Sequence, residues 1–239
     1  MAHKWIDVVN EVRVVLDRIP IDFGGGCSLH KALVMAYLIK KFNLQNSIDI
    51  GVYRGRSLFP QAVAHKLGTG GVVYGVDPWS AVEALEKDNI PLRQKIDEFV
   101  KNADFDGIYN SVASLNTKYE YTAHCILIRK TSAQANIWFR ENKVCFDLIH
   151  VDGNHDTGRV MDDIDLYLPL LNKGGFIILD DISWDSVKPA YTILEKKMSL
   201  LWKRTGSNDA SDFAVFWNIK KPICNIFLKA ELHMQIGKV

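Results

Sequence analysis

The stretch from Phe146 to Asp181, FDLIHVDGNHDTGRVMDDIDLYLPLLNKGGFIILDD, leaves few folds open to the chain that contains it. It reads as strand, polar turn, helix, glycine turn and second strand, and both strands end in aspartate. Phe146 to Val151 and Phe176 to Leu179 are short runs rich in β-branched residues and leucine, bounded by Gly and Asp. Such runs mark strands buried on both faces of a parallel sheet. Asp152, Asp180 and Asp181 then stand at the carboxyl ends of those strands, the edge where an open α/β sheet binds ligands. An unpaired charge buried in a core costs several kcal/mol or changes its protonation. These carboxylates therefore call for a cation or a hydrogen-bonding ligand.

With 239 residues, 48% of them hydrophobic, the chain has material for one sizeable core. It divides into a two-helix extension over 1–44, a main α/β domain over 45–221 and a C-terminal segment over 222–239, to which no function is given. The 29 basic and 28 acidic residues nearly cancel. No global field points to nucleic acid or to an anionic membrane, so a small ligand is expected. Cys27, Cys125, Cys145 and Cys224 form no CxxC pair, which suggests reduced thiols and a cytoplasmic protein. Residues 1–20 carry charges throughout, unlike a signal peptide, and no apolar run is long enough to span a bilayer.

Along the chain, Trp5, Val8, Val9, Val12, Val15, Leu16 and Ile19 recur at helical spacing, and Pro20 closes that helix. Its apolar stripe packs either on its own domain or on a second copy. Gly24 to Gly26 form a turn that joins two helices or cradles a ligand, and Ser28 caps a helix running to about Phe42. In SIDIGVYRG a strand ends at Asp49 and enters a turn with Gly51, Tyr53 and Gly55, after which Ser57 opens a helix that stops at Gly68. Glycines here let the backbone approach a ligand, and the helix start offers free N–H groups. The next strand, Gly71 to Val76, ends in Asp77 and Pro78, which places a carboxylate where a ribose diol would meet it. Residues 81–121 read as charged helices, one started by Pro91, forming a solvated outer layer without chemistry. His124 to Ile128 is a third strand, and Ser132 follows at a helix start as a cap or as the neighbour of a bound base. A helix over 186–197 leads to two strands, 198–204 and 213–219, joined by the polar turn TGSNDAS and paired antiparallel.

SIDIGVYRGRS, VVYGVDPWS and FDLIHVDGNHDTGRVMDDIDLYLPLLNKGGFIILDD together resemble the class I methyltransferases that use S-adenosylmethionine, particularly the branch of macrocin and other metal-dependent sugar O-methyltransferases. The similarity spans roughly residues 45–218. It implies a Rossmann-like α/β fold with a seven-stranded, mostly parallel sheet, an antiparallel last strand and helices on both faces. It implies a cofactor set of Asp49, Gly51, Tyr53, Gly55, Ser57, Asp77, Pro78, Ser132 and Asp152, with Asp49 near the methionine amino group and Asp77 on the ribose. It further implies Mg²⁺ held by Asp152, Asp180 and Asp181, with His155 as general base acting on the hydroxyl of a sugar, glycan or small natural product. Three carboxylates suit a hard ion of this kind, and a histidine titrates near the working pH. The chain departs from relatives in having Asp180-Asp181 where several carry Glu-Asp, and Asp49 where many carry Glu. Both changes keep the charge and shorten the reach.

Other classes fit less of the chain. GNHD at Gly153 to Asp156 resembles the asparagine-histidine motif of metallophosphoesterases, yet the remaining ligand motifs of a two-metal site are missing. A nicotinamide-dependent dehydrogenase would keep the fold and Asp77, but the G-x-G-x-x-G fingerprint is absent. A silent scaffold would have no use for carboxylates concentrated at one sheet edge.

Overall fold

The computed structural model describes residues 3–22, 26–88, 93–205, 212–219 and 222–236. Gly24, Gly25, Pro91 and most of the polar turn after residue 205 lie outside the described residues. Two helices come first, α1 (Trp5–Leu16) and α2 (Leu29–Phe42). Then follow β1 (Asn46–Ile50), α3 (Leu58–Ala64), β2 (Val72–Val76), α4 (Ala81–Ala84), α5 (Arg93–Asn102), α6 (Phe105–Lys118), β3 (Cys125–Ile128) and α7 (Ser132–Glu141). The second half runs β4 (Phe146–Val151), α8 (Thr157–Tyr167), β5 (Leu171–Asp180), α9 (Lys188–Lys197), β6 (Ser199–Arg204), β7 (Phe213–Trp217) and α10 (Pro222–Ile236).

The seven strands lie in the order β3-β2-β1-β4-β5-β7-β6. β7 alone runs against its neighbours, β5 on one side and β6 on the other. The chain leaves β1 toward β2 and β3, then returns to start the other half at β4. That reversal opens a crevice at the carboxyl ends of β1 and β4, where such sheets bind ligands.

Each face of the sheet is closed by helices because each helix offers it an apolar side. α1 buries Val8, Val9, Val12, Val15 and Leu16 at helical spacing, so its stripe is used up within its own domain. α2 is buried from Lys31 through Ile39 without a break, the pattern of a helix enclosed on all sides. Ser28 starts it by accepting a hydrogen bond from the Lys31 backbone N–H at 3.2 Å, as its position predicts. On the opposite face Phe139, Val160, Ile164, Ala190 and Leu194 from α7, α8 and α9 cover Ile149, Ile177 and Leu179. The C-terminal segment joins the first layer: Glu231 on α10 accepts from Tyr37 and Lys41 of α2, each at 2.6 Å.

One boundary differs from expectation. The helix opened near Ser57 does not stop at Gly68 but passes into a π-helical turn, His65–Thr69. The buried His65 ring fixes that turn, with Nε2 2.9 Å from Ser47 Oγ on β1 and Nδ1 2.8 Å from Thr69 Oγ1. Gly70, at φ 72°, then reverses the chain.

Candidate functional site

Where β1 ends, Gly51 takes φ +89°, and a Cβ there would lie 1.9 Å from the Asp152 carbonyl oxygen. β1 and β4 approach too closely at this point for any side chain. The Gly51 N–H donates to Val76 O and the Asp152 N–H to Ile50 O, which locks the ends of β2, β1 and β4 together. Tyr53, also left-handed at φ 47°, turns its N–H onto Asp77 Oδ2 at 2.9 Å. Trp79 N–H donates to Asp77 Oδ1 at 2.6 Å. Burial pushes the Asp77 carboxyl pKa up, and these backbone donors oppose the shift.

A cavity of about 510 Å³ opens above this floor, within the range of small-molecule sites. Gly51, Tyr53, Ser57, Asp77, Pro78, Ser132, Asp152 and His155 all line it, together with Gly26 and Cys27, which precede α2. The glycine cradle, the anchored carboxylate and the volume fit a nucleoside-bearing cofactor such as S-adenosylmethionine. Two residues of the expected cofactor set stand elsewhere. Asp49 is fully buried beneath the floor, where it accepts from Ser57 Oγ at 2.7 Å and holds the Nδ1 of His150. It is not among the residues lining the cavity and supports it through those neighbours. Gly55 shapes the turn, its own Cβ position being filled by the Phe59 ring at 2.7 Å.

Ser132 is not the cap of α7. Thr131 is, accepting from the Gln134 N–H at 3.3 Å while Gln134 reaches back to the Thr131 N–H. Ser132 is thereby left on the cavity wall beside Asp163, whose carboxyl burial pushes up to about 6. Among the aromatic residues, Tyr53 lines the cavity and Trp184 lies against the His155 ring at 4.7 Å. Trp79 is buried against Tyr109, and Tyr191 packs on Phe216.

At the ends of β4 and β5 the carboxylates have found partners already. Lys31 has no exposed surface, and its Nζ pairs with Asp180 Oδ2 and stands 3.4 Å from Asp152 Oδ2. Burial opposes the ammonium charge, but the two carboxylates outweigh it and hold the Lys31 pKa well above its usual value. Asp152 is correspondingly held low despite its burial, by Lys31 and by the His155 and His150 rings. Asp181 takes φ 50°, so consecutive aspartates face opposite ways. Asp180 faces α2, and Asp181 Oδ2 lies 2.8 Å from His155 Nε2.

His155 is fixed from the far side. Glu86 Oε1 accepts its backbone N–H at 3.0 Å and faces its Nδ1 at 2.6 Å. Glu86 is only 4% exposed and sits in the segment expected to be a solvated layer without chemistry, an expectation the structure overturns. The neighbouring Asp88 accepts the Thr157 N–H at the start of α8, and Asp156 accepts the Lys87 and Asp88 N–H groups. Burial lowers the His155 pKa, yet Asp152, Asp181 and Glu86 together raise it well above that of a free histidine.

The three carboxylates expected to bind Mg²⁺ do not form one set. Among the described residues, candidate ligand atoms converge in two groups, His150 with Asp152 and Asp180, and Asp152 with His155 and Asp181. The first surrounds the position the Lys31 ammonium already neutralises. The second needs an imidazole nitrogen, a donor that suits transition ions better than Mg²⁺. The residues present therefore do not fit the Mg²⁺ site drawn from the sequence.

Residues 48–182, more than half of the chain, match a family described as a methyltransferase domain. No curated protein matches by sequence. Among solved structures, an O-methyltransferase from Bacillus cereus in complex with SAH is 15% identical, with 90% of this chain and 91% of that chain covered and a TM-score of 0.59. The O-methyltransferase TomG from Streptomyces achromogenes, involved in tomaymycin synthesis and solved with SAM, is 11% identical over 88% and 89%, TM-score 0.57. An SAH-bound methyltransferase from Podospora anserina is 16% identical over 89% and 87%, TM-score 0.54. The likeness to these three is one of fold.

Proposed function

The chain belongs to this methyltransferase-domain family, and from that premise we propose that it transfers a methyl group from S-adenosylmethionine to the hydroxyl of a sugar, glycan or small natural product, with His155 as general base. The observation that carries this reading is the Glu86–His155 pair on the cavity wall. When bound, the cofactor supplies a methyl group on a sulfonium, already activated for displacement. The protein is left to position the acceptor oxygen and to take its proton.

Gly51, Asp77 and Ser132 define the cofactor end, Asp77 offering a fixed acceptor to a ribose diol. Glu86 at Nδ1 orients the imidazole so that Nε2 is the atom that accepts the proton, as a carboxylate does for a catalytic histidine elsewhere. As the oxygen–carbon bond forms and the sulfur–carbon bond breaks, the hydroxyl proton passes to Nε2. The surrounding carboxylates favour the imidazolium, and a positive charge entering the cavity opposes them, which returns the ring toward the neutral form a base needs. Glu83, Arg159, Asp162 and Asp165 line the cavity beside apolar residues such as Val52, Phe99 and Phe105, so polar side chains are at hand to hold a hydroxylated acceptor.

The test is methyl transfer from radiolabelled S-adenosylmethionine to a panel of sugars and hydroxylated natural products. Incorporation by the parent that is lost in His155→Ala, with cofactor binding intact by calorimetry, is the expected result. Cofactor binding that survives Asp77→Ala unchanged would remove the ribose assignment.

A further inference from the structure

We propose that Lys31 is the resident cation of the β4–β5 end, its ammonium standing where a divalent ion would sit between Asp152 and Asp180. This deepens the methyltransferase reading, since it states how those carboxylates are neutralised. Three observations lead there. Lys31 is wholly buried, with Asp180 at 10% side-chain exposure, so water cannot neutralise the group and carboxylates must. Its Nζ reaches Asp180 Oδ2 and, at 3.4 Å, Asp152 Oδ2, bridging the ends of two neighbouring strands as a metal would. Finally, the ammonium cannot withdraw: Lys31 lies in the first turn of α2, whose start is fixed by the Ser28 cap and whose following residues, Ala32 to Ile39, are all buried.

A divalent ion at the same place would set two further positive charges against a fixed one in a medium that screens poorly. Lys31 is therefore a positioning residue. It holds Asp152 at the cavity wall, with His155 Nε2 3.8 Å from the other carboxylate oxygen.

The experiment is a titration of the full-length protein with Mn²⁺, followed by electron paramagnetic resonance. It needs no acceptor and no turnover. Asp180→Asn should leave the parent's Mn²⁺ affinity unchanged. Lys31→Ala should raise it at least tenfold, and the double variant Lys31→Ala with Asp180→Asn should lose that gain. A parent that binds one Mn²⁺ and loses tenfold or more in Asp180→Asn overturns the proposal, as does a folded Lys31→Ala that gains nothing. If Lys31→Ala fails to fold, the parent and Asp180→Asn decide alone. Cofactor calorimetry run in parallel with excess EDTA keeps the two readings apart: absent cofactor binding would sink the methyltransferase function and leave the Mn²⁺ result standing.

Discussion

Asp77 and Asp180 end strands of one sheet at one edge, yet they are held by different means. Asp77 is gripped by the backbone N–H groups of Tyr53 and Trp79, 24 and 2 positions from it in the chain. Asp180 is gripped by a lysine side chain 149 residues away. A backbone grip survives most substitutions, because every residue except proline carries the donor. A side-chain grip fails with one substitution and leaves a buried charge alone. The Asp77 end is thus held by backbone donors of two turns and the Asp180 end by long-range charge.

Substitutions at the two ends should separate accordingly. The largest effect belongs to His155→Ala, which should lower turnover about 10² to 10⁴-fold while cofactor affinity stays within threefold. A matching loss of cofactor affinity would mean that the two ends are not separate. Next, Lys31→Met should cost about 3–5 kcal/mol in urea unfolding, the range for breaking a buried ion pair, whereas Asp77→Asn should cost about 1 kcal/mol. Equal losses would erase the contrast. Asp77→Ala should weaken cofactor binding by about 1.5–3 kcal/mol for each charge-assisted bond removed, read by calorimetry, without touching Mn²⁺ behaviour.

The last effect is absent at neutral pH, appears only on acidification and belongs to the support of β1. Burial, helped by His124, pushes the His65 pKa down to about 3. Its folded value lies below the unfolded value of about 6.5, so its contribution is whole above that pH and is lost as pH falls toward 3, at about 1.4 kcal/mol per pH unit. His65→Gln should flatten that part of the acid stability profile, and an unchanged slope would assign it elsewhere.

The same contrast explains what was legible in the sequence. Gly51, Asp77 and the strand-turn-helix order could be read because each belongs to a short local pattern, a strand that ends in a turn glycine or in an aspartate before proline. Asp49 was legible as a residue near a strand end, but strand alternation, which turns it under the floor toward His150, was not read from the sequence. Lys31 and Glu86 escaped because nothing near them in sequence shows what they pair with. Signals did exist: a lysine inside the apolar run LVMAYLI and its flanks, and a histidine, His150, inside the strand FDLIHV. Both are charges or polar rings at core positions, which demand a buried partner.

The separation of 149 positions between Lys31 and Asp180 also sets an order of events in synthesis. At a ribosomal rate of about 5–20 residues per second, α2 emerges on the order of ten seconds before β5 exists. Until then the buried ammonium of α2 lacks the Asp180 member of its carboxylate pair. The first part of the site to be made is the last to be satisfied. The Lys31 ammonium therefore gains its Asp180 partner only when β5, made last of the two, joins the sheet.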